Sequence, residues 1–372
     1  MNHLLGPLGY GGVMLDLAAG PASLALAMVN LPSVSGQEAG LADALQAALA
    51  AQPHLTVQRD GDTVVARTNL GAATRVIVAG HLDTVPIAGN VPGRIEPAAG
   101  GAWLWGRGAV DMKGGLAAMA ATAAAVTRPA LDVTWVFYDH EEVAAHLSGL
   151  GRVMAHHPDW LAGDFAVLCE PTGGGIEGGC NGTLRVKVAA TGLAAHSARP
   201  WAGRNAIHLA APILDTLAAY QPAAVPVDGL VYQEALNAVG ISGGLAGNVI
   251  PDRCEVTVNY RFAPSQTVDQ ALSHVKDLFA DFEVTVDDAA GGARPGLDHP
   301  VAARFAAAVA AAGGGPPRPK LGWTDVARFA EAGLPAVNCG PGDPALAHAD
   351  QERCPVEQIE RVAAILRSWL GG

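Results

Sequence analysis

Three short apolar runs that break off at ionisable residues constrain this chain more than any other feature. Arg75–Ala79 ends in Gly80-His81-Leu82-Asp83, Val133–Tyr138 (VTWVFY) in Asp139-His140-Glu141-Glu142, and Phe165–Cys169 (FAVLC) in Glu170-Pro171. Runs this short, β-branched or aromatic and without alternation, read as strands buried on both faces. Buried strands interleaved with helices predict an open, mainly parallel α/β sheet. In such a sheet, sites form in the crevice outside the carboxyl ends of the strands.

Along the chain this pattern gives way to another and then returns. Leu15 to about Ala51 reads as helix broken by the turn LPSVSG, Thr63–Arg67 as a strand, and Met112–Val126 as a helix of small residues. A further helix is expected to begin near Glu141. Thr183–Ala190 (TLRVKVAA) and Cys254–Phe262 (CEVTVNYRF) instead alternate, with helical stretches at Asn205–Tyr220 and Val268–Phe279 and a strand at Phe282–Val286. Alternation with one polar face predicts an antiparallel sheet with helices on one side. After AAGGARPG the first pattern resumes, with a helix Val301–Ala312, a helix following Thr324-Asp325, a strand Pro335–Cys339 and a last helix Val356–Leu370. The expected organisation is an α/β domain formed by 1–177 and 290–372, interrupted by an α+β insert at 178–289. Gly178-Gly179 and Gly291-Gly292 are the expected hinges.

Composition narrows the function classes. Half of the 372 residues are hydrophobic and 16% are charged, enough apolar material for a sizeable core. The formal net charge of −12 argues against nucleic acid and anionic membrane as partners, and not against a metal cation. The five cysteines contain no C-x-x-C pair, so a disulfide framework is not expected and a reducing cytoplasm is. No basic n-region opens the chain, so a signal peptide is not expected.

His81, Asp111, Glu142, Glu170 and His348 are candidate metal ligands at loop positions near strand ends. Oxygen and imidazole donors suit zinc, and five of them, one bridging, could hold a pair of ions. A carboxylate can bridge and an imidazole cannot, so Asp111 or one of the glutamates would take that role. Each residue also has an ordinary use: Asp111 as the N-cap of the following helix, Glu141 and Glu142 as acids in a first helical turn, His348 as a solvated loop residue. Two adjacent carboxylates after a buried strand are nevertheless costly unless a cation offsets their repulsion. With a metal, one can ligate while the other takes a proton from water. Asp83, two residues beyond His81, points the same way on an extended chain and can orient a ligating imidazole. Gly106-Arg107-Gly108 fails as a dinucleotide loop, because the sixth position is Asp111.

GHLDTVP, GRGAVDMKGG, YDHEEV, CEPT and a late GPGDPALAHA, in that order, resemble the zinc aminoacylase and carboxypeptidase family, and the resemblance spans nearly the whole chain. It implies a zinc-exopeptidase-like catalytic domain interrupted by a ferredoxin-like lid through which two subunits pair as a homodimer. It implies two Zn2+ per subunit, replaceable by Co2+ or Mn2+. His81 and Glu170 would hold one, Glu142 and His348 the other, and Asp111 would bridge. Asp83 would orient His81, Glu141 would be the general base, and His196 in AAHSARP would bind the oxyanion across the dimer. Asn248 in GNVIP and Arg261 in NYRF resemble carboxylate-binding lid residues, and Thr324 lies in the similar segment GWTDVARF. Within the family, GCNGTLRV, GWTDVARF and GPGDPALAHA are most similar to a branch that hydrolyses N-succinyl-LL-diaminopimelate. Sibling activities are acetylornithine deacetylation and the removal of C-terminal glutamate or dipeptides. The chain departs from other members of that branch: Cys180 and Asn181 stand where basic residues are common, and Arg199 where tyrosine is. Arg199 is expected to supply the missing charge for a small N-acyl amino acid rich in carboxylates.

Overall fold

The computed structural model describes residues 14–98 and 100–371. They fall into two compact units. The first is built from the described part of Met1–Glu177, from Gly296–Pro317 and from Ala332–Gly372; the second comprises Gly178–Pro295 and Arg318–Glu331.

In the first unit six strands of one sheet lie in the order Thr56–Asp60, Thr63–Arg67, Asp132–Tyr138, Arg75–His81, Phe165–Pro171 and Ala336–Gly340. The last four run parallel to one another, and the first two form an antiparallel edge. Helices Pro21–Val29, Ala39–Ala50, Lys113–Ala125 and Val356–Gly371 share a core with Val76, Val78, Trp135, Phe137 and Val167. Ile77, Ala79 and Val136, whose side chains point to the other face, are fully buried too. Burial on both faces explains why these strands show no alternation in sequence.

Parallel pairing brings His81 level with Tyr138, so the imidazole stands beside the turn that follows Tyr138. The small-residue helix packs unusually close to the sheet: a Cβ on Gly115 would lie 2.4 Å from the Cys169 carbonyl oxygen. Only glycine permits that approach, and it draws the loop before the helix toward the strand carrying Glu170.

The second unit is a four-stranded antiparallel sheet in the order Ala235–Gly243, Arg253–Phe262, Gly182–Thr191, Glu283–Ala290. Leu184, Val186, Val188, Val256, Val258 and Tyr260 face helices Ala206–Leu209, Ala211–Ala219 and Val268–Leu278. The helix expected over 205–220 is broken at Ala210, ahead of Pro212, which cannot donate within a helix. The segments entering and leaving the insert run side by side, with Cys180 and Ala293 exchanging main-chain hydrogen bonds of 3.0 Å. The mainly parallel α/β sheet and the α+β insert are thus as the sequence led one to expect. Among the described residues, no helix is long and apolar enough to cross a membrane.

Candidate metal centre

Five side chains from five separate stretches converge at the carboxyl ends of the parallel strands. His81 is buried at the end of its strand. Its Nδ1 lies 3.0 Å from the Asp83 carbonyl oxygen and its Nε2 3.0 Å from Asp111 Oδ1 and 3.9 Å from Glu170 Oε1. His348 Nε2 lies 3.4 Å from the other oxygen of Asp111 and 3.0 Å from Glu142 Oε1. Each Asp111 oxygen therefore faces a different imidazole, which leaves the two histidines one carboxylate apart. Ligand atoms of His81, Asp111 and Glu142 all fall within 4.8 Å of one another.

The electrostatics follow from this crowding. Burial alone would favour the neutral His81 ring, but Asp111, Asp83 and Glu170 outweigh it and push its pKa well above the ordinary value. Hydrogen bonds to Asp111 and Glu142 raise the His348 pKa to about 10. Partial burial of Asp111 opposes its charge, yet the two imidazoles hold it well below the usual carboxylate range. A proton on each ring and a divalent cation compete for the same carboxylates. A carbonyl oxygen can only accept, so the Asp83 carbonyl fixes the His81 proton on Nδ1 and leaves the Nε2 lone pair for a metal. This donor set, with imidazole nitrogens and carboxylate oxygens at ligand spacing, fits a pair of zinc-like ions.

Asp83 does more than its sequence position suggested. Its carboxylate is fully buried, with Oδ1 3.5 Å from His81 Nδ1. The same carboxylate accepts the main-chain N–H groups of Glu141 (2.9 Å) and Glu142 (3.0 Å) and the hydroxyl of Ser35 (2.7 Å). Burial would raise its pKa, but these donors and His81 hold it at about 2. One carboxylate thus sets the imidazole and both glutamates.

The backbone here also corrects the expected start of a helix at Glu141. Asp83 holds the N–H groups of Glu141 and Glu142, and His140 sits in the left-handed region at φ 59°. The chain first makes a short 3₁₀ turn at Ala145–Leu147, and the α-helix starts at Gly149 after Ser148, whose hydroxyl accepts from Gly151 N–H. The two glutamates are not first-turn acids. Nor is Asp111 an N-cap: that position falls to Met112, which makes no side-chain cap. His348 also has a left-handed backbone, at φ 64°. Non-glycine residues in that region cluster at functional sites, where surrounding structure holds them. At His140 the support is visible: its N–H meets Glu38, its ring meets Asp139, and Asp139 is held in turn by Thr63 and Arg152. Ser35 and Glu38 carried no recognisable signal in the sequence beyond lying near the PSVSG turn.

The remaining candidates belong to the second unit. His196 pairs with Val249 across a two-residue ladder, and Ser197 N–H donates to the Asn248 carbonyl, so His196 and Asn248 are neighbours. Arg199 is exposed one turn further on, its N–H bonded to the His196 carbonyl. Arg261 lies on the sheet face opposite the helices, its Nε 3.1 Å from Asn259 Oδ1. Thr324 is buried, and its carbonyl accepts from the Cys180 thiol.

Residues 77–371 match the model of peptidase family M20/M25/M40. The chain is 48% identical over 366 residues to the succinyl-diaminopimelate desuccinylase of Corynebacterium glutamicum, covering 96% of this chain and 97% of that protein. It is 51% identical over 362 residues to a Mycobacterium tuberculosis (strain H37Rv) protein provisionally named succinyl-diaminopimelate desuccinylase DapE, covering 96% of this chain and all of that one. Among solved structures it resembles a tripeptidase of Staphylococcus aureus, with a TM-score of 0.79 at 20% identity over 96% of this chain and 99% of that one. With the fold, the ligand cluster and these matches in agreement, the chain belongs to peptidase family M20/M25/M40 and is a metal-dependent hydrolase.

Proposed function

We propose that this chain hydrolyses the amide bond of N-succinyl-LL-diaminopimelate, releasing succinate and LL-diaminopimelate. The observation that carries the reaction type is the Asp111 carboxylate facing His81 with one oxygen and His348 with the other. The near-full-length identity to desuccinylases supports the substrate.

In this reading His81 and Glu170 would hold one zinc and Glu142 and His348 a second, with Asp111 contributing to both. A metal pair bound there would supply a lowered pKa for water and positive charge opposite the amide oxygen. Glu141 takes the proton of the attacking water on its carboxylate and delivers it to the departing amine nitrogen. Asp83 keeps Glu141 in place by its main chain. The oxyanion receives a further donor from His196, and Arg199, Asn248, Arg261 and Thr324 bind the carboxylates and polar groups of the substrate. His196 and Asn248 sit side by side in the second unit, as a shared binding loop needs. We further infer a homodimer formed through the lid, in which His196 serves the partner's site.

The test is metal analysis of the purified protein, coupled to turnover of N-succinyl-LL-diaminopimelate, acetylornithine and a dipeptide after zinc is restored. Succinyl-diaminopimelate should be turned over at least about a hundredfold faster, as kcat/KM, than acetylornithine, a difference of roughly 3 kcal/mol in transition-state binding. Faster cleavage of acetylornithine or of the dipeptide would overturn the substrate assignment. A fully active metal-free protein would overturn the reaction type.

A further inference from the structure

Glu352 follows His348 by four residues and is 1% exposed. Its Oε1 accepts the main-chain N–H groups of Val110 (2.9 Å) and Asp111 (3.1 Å), and its Oε2 accepts from Arg107 Nη1 at 2.8 Å. Arg107 is buried as well. Its Nε donates to the Pro86 carbonyl and its Nη1 also reaches the Ala349 carbonyl at 3.3 Å. The main chain repeats the link: Gly106 N–H donates to the Glu352 carbonyl at 3.0 Å, and Glu352 N–H to the Ala349 carbonyl at 3.2 Å. The loop that ends in Asp111 and the loop that carries His348 are therefore tied together by one buried ion pair and the main chain around it.

Stability alone does not account for this arrangement. Apolar side chains of the same volume commonly replace a buried ion pair with no loss, and often with a gain. What they cannot do is accept two consecutive main-chain N–H groups and so fix the peptide plane from which the Asp111 side chain leaves. They would also lose the Arg107 hydrogen bond to the carbonyl of Ala349, directly after His348, whose own backbone is in the left-handed region at φ 64°. A strained conformation persists only where its surroundings over-determine it, and Arg107 and the Glu352 main chain both grip the adjoining carbonyl.

We propose that Glu352, with Arg107 as its counter-ion, is a positioning residue that fixes Asp111 against His348 and thereby governs occupancy of the metal position these two share with Glu142. The inference rests on the two-metal reading given above and adds to it the residue that sets the spacing.

Titration of the metal-free full-length protein with Co2+ tests it, followed by equilibrium dialysis and by the visible absorption of the bound ion. The proteins compared are the wild type, His348→Ala, Glu352→Ala and Glu352→Gln, each checked for native circular dichroism. The wild type should bind two Co2+ and His348→Ala should lose one of them. Glu352→Ala should weaken that same ion by about 10–100-fold, the usual reach of a group that orients a ligand without touching the metal, and the other ion less, since it depends on Asp111 but not on His348. Its Co2+ absorption should change in shape, and kcat should fall with KM held. Glu352→Gln keeps one carbonyl acceptor for the two N–H groups but turns an amide toward Arg107, so its loss should lie between. Should Glu352→Ala fail to fold, Glu352→Gln decides by the same readings. Both ions bound as in the wild type, or both weakened equally, overturns the clamp alone. A wild type with no His348-dependent Co2+ uptake overturns the two-metal reading and the clamp together.

Discussion

Asp83→Asn exchanges one carboxylate oxygen for an NH2 group at a point where every neighbour donates. Oδ1 accepts from Glu141 N–H at 2.9 Å; Oδ2 accepts from Glu142 N–H at 3.0 Å and from the Ser35 hydroxyl at 2.7 Å. Whichever way the amide turns, its NH2 confronts a main-chain N–H of one glutamate. Ser35 can rotate its hydroxyl and accept instead, but a main-chain N–H cannot. One charge-assisted bond is lost and one buried donor is left opposed, together about 3 kcal/mol. For a unit of about 150–250 residues this lowers Tm by roughly 6–12 °C. The low pKa of Asp83, about 2 in spite of burial, reports the same donors from the other side. The loosened main chain carries Glu141 and Glu142 with it, so kcat or zinc affinity should fall by about 10–100-fold. Thermal unfolding of the metal-free protein gives the first quantity; zinc titration and steady-state turnover give the second. An Asp83→Asn protein that melts within about 2 °C of wild type and keeps its kcat would refute the argument that this carboxylate organises the site.

Three further outcomes follow from the same geometry. Glu141→Gln should keep its metal content and lose about 10²–10⁴-fold in kcat, the reach of a positioned general base; metal analysis beside turnover decides, and retained activity would remove Glu141 from proton transfer. His81 and His348 both have raised pKa values, so near neutral pH the metal-free rings carry protons that ligation must expel. Calorimetry of zinc binding in buffers of different ionisation enthalpy should therefore register net proton release near pH 7. Asp132 is buried, accepts from Leu70 N–H, Ala72 N–H and the Thr68 hydroxyl, and has a lowered pKa because these donors and Arg75 outweigh its burial. Its contribution is present above the unfolded value near 4 and fades as pH falls through the lower folded value. Asp132→Asn should cost about 2 kcal/mol at neutral pH, and thermal unfolding below about pH 3 should show the two proteins converging.

The strands and the ligands were legible in the sequence for the same reason: side-chain identity marked them. Strands buried on both faces must be continuously apolar, so Arg75–His81, Asp132–Tyr138 and Phe165–Pro171 stood out, and parallel pairing then brought their carboxyl ends together. Histidine and acid directly after such runs had few other reasons to be there. The antiparallel edge strand Thr56–Asp60 (TVQRD), largely polar, and the exposed strand Ala235–Gly243 had no comparable mark and went unread.

Asp83 was legible as a residue that orients His81, but the sequence concealed the main-chain contacts that aim the other ligands, and the reason is specific. Asp83 and Glu352 both act by accepting main-chain N–H groups, of Glu141 and Glu142 in one case and of Val110 and Asp111 in the other. Every residue but proline carries that donor, so no side-chain pattern announces the partner. An acid in a loop reads identically whether it is solvated or clamps the neighbouring loop. The helix expected at Glu141 begins only at Gly149: His140 is in the left-handed region, and the main chain of Glu141 and Glu142 is laid against Asp83, nearly sixty residues earlier in the chain. A site of this kind announces its ligands locally and hides their anchors, because the ligands are chosen for their chemistry while the anchors need only an oxygen in the right place.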